Sequence, residues 1–156
     1  MSDTVAVSRL PDLIALAEEG SSERRRALLR ELTEHFFGSP ARTATEDTLY
    51  GAVLAKLADD METAVRAELS SRFANTPDAP HALIRRLAND EAAVGGAVLA
   101  HSPVLTDEDL LGVVRNHGQD HLRAVSARPS VSEAISEVIV ERGDDETLGA
   151  LLRNGG

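Results

Sequence analysis

Apolar residues recur at helical spacing along nearly the whole chain, and no stretch alternates with the period of two that marks a strand. Leu10, Leu13, Ile14 and Ala17 predict a first helix, opened by Pro11 and closed by Gly20. Ser22 can cap a second, striped by Leu28, Leu29, Leu32 and Phe36, before Gly38-Ser39-Pro40 stops it. The pair predicts a helical hairpin turning at Gly20-Ser21-Ser22. Thr43 and Glu46 have capping-box spacing and open a third helix carrying Leu49, Val53, Leu54 and Leu57. After Asp59-Asp60, a fourth is striped by Met61, Val65, Leu69 and Phe73.

Shorter segments follow. Asn75-Thr76-Pro77 and Pro80 break the chain before a short helix with Leu83, Ile84 and Leu87. Asp90 can cap a helix through Ala100, Ser102-Pro103 ends it, and Thr106 caps one containing Leu110, Leu111 and Val114. Another short helix holds Leu122 and Val125 before Arg128-Pro129. Ser130 and Glu133 have capping-box spacing ahead of Ile135, Val138 and Ile139, and Gly143 closes that helix. Asp145 to Arg153 gives a last one, ending at Asn154-Gly155-Gly156. The fold class predicted is all-α.

These segments repeat. Leu57, Leu87, Val114 and Val140 form one apolar column, spaced 30, 27 and 26 residues apart. Val65, Val94, Leu122 and Leu148 form a second, spaced 29, 28 and 26. Polar helix openings fall between them at Asp59-Asp60, Asn89-Asp90, Gln119-Asp120 and Asp144-Asp145. A period of this length predicts helical pairs that bury their apolar faces against one another. The expected architecture is one domain over 1–156, a right-handed α-helical solenoid with an N-terminal hairpin at 1–42 and degenerate repeats at 43–156. No polar cap follows the last pair. That end is expected either to continue, making the chain the N-terminal part of a longer protein, or to stack on a second copy.

Composition narrows the function. Of the 156 residues 42% are hydrophobic but only 3% aromatic, so the core must be Leu, Val, Ile and Ala. Cysteine is absent, which removes disulfides and thiolate metal sites. The first residues lack the pattern of a signal peptide, and the longest apolar runs are far shorter than a membrane span, so the chain reads as cytoplasmic. With 26 acidic and 16 basic residues the net charge is −10, which opposes binding to nucleic acid or anionic membrane. It favours a basic or amphipathic protein partner. All the basic residues but Lys56 are arginines, whose planar forks suit local ion pairs.

Two stretches carry a family resemblance. One is Leu87-Ala88-Asn89-Asp90 with the run from Val98 to Leu111, VLAHSPVLTDEDLL. The other is Ala124 to Ser136, AVSARPSVSEAIS, followed by Arg142-Gly143-Asp144 and Leu151-Leu152-Arg153-Asn154. The chain closely resembles a bacterial family known as domain of unknown function 2336, along essentially its whole length and most clearly from Leu83 onward. The resemblance implies HEAT-like or leucine-rich-repeat-variant helical repeats and brings no activity, cofactor or catalytic residue with it.

Candidate chemistry is sparse. His117 and His121 have the spacing of two zinc ligands on a helix, but no HExxH glutamate lies between them and Gly118 places His117 outside the helix. Surface or cap histidines are the expectation. Arg66 and Arg123 each follow the second apolar column. They are expected to pair with Asp59, Asp60 or Asp120 in a ladder between units, and they are the candidate partner-binding residues. Gly95-Gly96 inside a helix predicts close approach of a neighbouring helix. Arg24-Arg25-Arg26 with Arg30 reads as a solvated helix face near Glu18-Glu19. No catalytic triad, phosphate loop, metal site or cofactor site is legible.

The expected function is a non-enzymatic protein–protein interaction scaffold or regulatory module. A small-molecule-sensing helical domain is the alternative, and a HEAT-like nucleic-acid-binding protein ranks below it. A deep apolar pocket would favour the sensor, a continuous arginine stripe nucleic acid, and a shallow acidic groove without perturbed titratable groups the scaffold.

Overall fold

Nearly every interruption in the apolar periodicity becomes a helix boundary. A computed structural model describes residues 21–39 and 42–153, and among them it contains helices and no strand. The helix expected over Leu10 to Ala17, the hairpin it would complete and the terminal Asn154-Gly155-Gly156 lie outside the described residues. In chain order the helices are α1 (Ser22–Gly38), α2 (Ala44–Asp59), α3 (Thr63–Phe73), α4 (His81–Ala88), α5 (Ala92–His101), α6 (Asp107–Asn116), α7 (Gln119–Ser126), α8 (Glu133–Arg142) and α9 (Asp145–Arg153). None is long and apolar enough to cross a membrane. The chain divides into two compact units, one ending at Glu62 and the other beginning at Thr63.

In the first unit α1 packs on α2. Leu28, Leu29, Leu32 and Phe36 are buried on one helix, and Tyr50, Val53, Leu54 and Leu57 on the other. Ser21 caps α1, one residue earlier than expected, its hydroxyl accepting from the Arg24 N–H at 3.3 Å. Thr43 and Glu46 form the expected capping box at α2. Arg42 then closes the turn between the helices. Its guanidinium lies 3.7 Å over the Phe36 ring, donates to the Phe36 and Ser39 carbonyls at the end of α1, and pairs with Asp47 at 2.7 Å. Two members of the arginine run are also engaged, Arg25 with Asp60 at 3.2 Å and Arg26 with Glu62 at 3.0 Å.

In the second unit α3 packs on α5, α5 on α7 and α7 on α9, while α6 packs on α8. Neighbours in sequence pack too: α4 on α5, α6 on α7 and α8 on α9. One register runs through the first series. Leu69, Val98, Val125 and Leu151, spaced 29, 27 and 26 residues apart, are all buried. The columns expected from sequence fit less evenly. Leu57, Leu87 and Val114 are buried, but Val140 is 60% exposed and α8 instead buries Ile135 and Ile139. Val94 and Leu122 are buried, whereas Val65 and Leu148 are only half-buried.

Caps explain most boundary differences. Met61 lies ahead of α3 rather than on it. The residue before α5 is Glu91, not Asp90, and its side chain makes no capping bond. Thr106 caps α6 as expected and completes a capping box with Asp109. Ser132 rather than Ser130 caps α8, accepting from the Ile135 N–H at 3.3 Å. Gly143 ends α8 as expected.

Candidate functional site

Many charged and polar side chains of the second unit join one helix to another. Arg66 on α3 reaches forward to Asp90, between α4 and α5, through Nε at 2.8 Å and Nη2 at 3.3 Å. Arg86 donates to the same carboxylate, which is only 8% exposed. Asp90 is unavailable as a helix cap because two guanidinium groups hold it. Burial pushes its carboxyl up, but Arg66, Arg86 and the Glu91 N–H outweigh burial and hold it below the usual carboxylate range.

Arg123 on α7 pairs with Asp120, as expected, and extends to Asp144 at 3.5 Å and Glu146 at 3.6 Å. Asp144 is held low chiefly by the Thr147 N–H and hydroxyl. Gln119 links the same elements, donating to the Arg142 carbonyl at 2.8 Å and accepting from the Asp144 N–H at 2.8 Å. A ladder between units does exist, but it runs from each arginine to the turn before a later helix. Other arginines cap helix ends, where a cation meets unsatisfied carbonyls. Arg128 donates to the Leu99 and Ser102 carbonyls at the end of α5, and Arg142 to those of Val114 and His117 at the end of α6. Burial lowers the Arg128 guanidinium, with Asp107 opposing.

The two histidines behave as cap and junction residues. Their rings stack with centroids 4.3 Å apart. His117 Nε2 meets the Asn89 amide oxygen at 3.0 Å and His121 Nε2 the Asp90 carbonyl at 2.7 Å, tying the α6–α7 turn to the α4–α5 turn. No group of three metal-ligating side chains occurs among the described residues. Burial, and then His121, lower the pKa of His117 from its ordinary 6.5.

That shift fixes a sign. A depressed folded value means the neutral ring stabilises the fold above about pH 6.5, and this contribution is lost as the pH falls through the lower folded value. Asp90 and Asp109 contribute in the same sense below their ordinary 3.8. Urea denaturation across pH is therefore expected to show stability falling in two windows, below 6.5 and again below 3.8. His117→Gln should remove the upper one. An upper step that persists in the variant would assign it elsewhere.

Beside these junctions one open surface feature remains. Between α4 and α6 lies an open groove of about 390 Å³, lined by His81, Arg85 and Asn89 on one side and Glu108, Asp109, Gly112 and Asn116 on the other, with Thr106 at one end. The walls follow from helical periodicity. His81, Arg85 and Asn89 stand at i, i+4 and i+8 on α4 and its cap, and Glu108, Gly112 and Asn116 stand likewise on α6. Asp109 ties the walls together, receiving His81 Nε2 at 2.6 Å and Arg85 Nε at 3.3 Å. Burial raises its carboxyl, yet His81 and Thr106 outweigh that and hold it low. The groove is polar and shallow.

Residues 94–156 match the model of a bacterial family described as an uncharacterised protein conserved in bacteria (DUF2336). The match runs from within α5 through α9, a shorter stretch than the resemblance read along the whole chain. No curated protein and no solved structure matches. The groove straddles the edge of the matched segment, with its α4 wall before it and its α6 wall within it.

The sequence singled out Arg66 and Arg123, and both guanidinium groups are engaged within the chain. It did not single out the groove residues. The available signal was a polar one: the α4 wall recurs 27 residues later as the α6 wall, pairing His81 with Glu108, Arg85 with Gly112 and Asn89 with Asn116.

Proposed function

We propose that this chain is a non-enzymatic docking module of the cytoplasm, built as a right-handed α-solenoid of HEAT-like helical pairs, that binds a basic or amphipathic segment of a protein partner. The observation that carries the reading is the division of labour among its polar groups. Asp90, Asp144, Arg66, Arg123, Arg128 and Arg142 are committed to helix junctions and caps, while an open polar groove remains on the surface. Such an arrangement presents surface rather than a reacting centre: the His81–Asp109 pair in the groove is shared with Arg85, and the Thr106 hydroxyl is engaged as the α6 cap. The excess of 26 acidic over 16 basic residues favours a cationic partner.

Affinity capture with the purified chain, followed by reconstitution from purified components, tests this. A reproducible protein partner is expected, binding through a basic segment and weakening as salt is raised from about 0.05 to 0.5 M. Capture that disappears on nuclease treatment, or a partner that binds through an acidic segment, would overturn the reading.

A further inference from the structure

We propose that the groove between α4 and α6 is the docking site itself, and that it takes a short extended peptide segment presenting a lysine or arginine side chain to Glu108. The inference rests on the docking-module reading and adds the place, the pairing charge and the form of the ligand.

Charge comes first. Four ionisable residues line the groove, and three of them satisfy one another. Asp109 receives both His81 and Arg85, and Arg85 Nη2 also lies 3.4 Å from His81 Nδ1. Glu108 is exposed and has no hydrogen-bond or ion-pair partner among the described residues. The charge left to a ligand is therefore a single carboxylate. Two turns further along the same wall, about 12 Å away at the helical rise, Asn116 uses its Nδ2 to donate to the Gly112 carbonyl at 2.7 Å, which leaves its amide oxygen as an acceptor. The carboxylate suits a cationic side chain, and the amide oxygen a peptide N–H further along an extended segment.

Gly112 is the second, independent observation. It sits inside α6, where glycine is among the least favourable residues, yet a Cβ built there meets nothing within 4 Å. Packing gives no reason for this glycine. Its one structural consequence is an open groove wall, at which a ligand backbone can approach closely. The groove is lined by two full turns of each helix, at i, i+4 and i+8 on both walls, a length over which an extended segment can lie.

The test is selection of a random heptapeptide display library on the full chain and on two variants, with the preferred peptide then synthesised and titrated. The natural chain is expected to enrich peptides containing lysine or arginine. Gly112→Trp fills the groove from a position with free space around it, so its melting temperature should not fall and peptide affinity should drop about tenfold or more, the scale of one lost charge-assisted contact. Glu108→Lys, an exposed reversal, should shift enrichment to Asp- and Glu-containing peptides and decides the matter alone if Gly112→Trp does not fold. Basic peptides enriched equally by all three proteins would overturn the groove while leaving the docking-module reading intact. Failure of the natural chain to enrich any basic peptide would overturn both.

Discussion

Gly95→Ala is expected to lower stability by about 1–3 kcal/mol, although alanine is the better helix former. A Cβ at Gly95 would stand 2.6 Å from the Leu87 carbonyl oxygen and 3.1 Å from that of Ala88. Both are backbone atoms at the C-terminal end of α4. The Leu87 carbonyl already accepts the Asp90 N–H at 3.2 Å, so it cannot retreat without opening the turn that also carries the Arg66 and Arg86 pairs. Neighbouring Gly96 lies in the same helix, but a Cβ there meets nothing within 4 Å. Gly96→Ala should therefore gain up to about 1 kcal/mol from propensity alone. Urea midpoints of the two variants, at unchanged denaturant slope, are the measurement. Two adjacent glycines responding with the same sign would refute the close α4–α5 approach.

That contrast also marks what the sequence could convey. The glycine pair indicates close packing, but not which member makes it, because the answer lies in a carbonyl of another helix. Helix starts fixed by local chemistry were legible: the boxes at Thr43 with Glu46 and the cap at Thr106 involve residues three apart. Asp90 misled because its carboxylate is claimed by Arg66 from 24 residues away. Ser130 carries the stronger local signal, with Glu133 three residues on, yet α8 begins after Ser132, in the helix that buries Ile135 and Ile139. The local box points to the wrong serine.

The groove was hardest to read for a related reason. Apolar columns announce themselves because burial demands the same residue class in each unit, as at Leu69, Val98, Val125 and Leu151. Surface positions face no such demand. Across the 27-residue shift only Asn89 and Asn116 keep their identity, while histidine gives way to glutamate and arginine to glycine. Those differences make the two walls unequal, with the charges on α4 committed to Asp109 and Glu108 on α6 uncommitted.

Leu122→Ala carries the largest expected loss, about 2–5 kcal/mol, from forfeited transfer energy and the cavity left behind. Leu122 is fully buried on α7, a helix that packs against α5, α6 and α9, so three neighbours would have to move to fill the void. Leu152 makes the matched control. It is the same residue type on α9, but 77% exposed, and truncating it should change stability by no more than about 0.5 kcal/mol. Chemical denaturation of both variants over a range of protein concentrations separates two explanations of that face. A Leu152→Ala loss that grows with concentration would mean that a second copy covers the end of α9. A small, concentration-independent effect would leave Leu152 as an apolar side chain in water, and the difference between the two leucines would then measure burial alone.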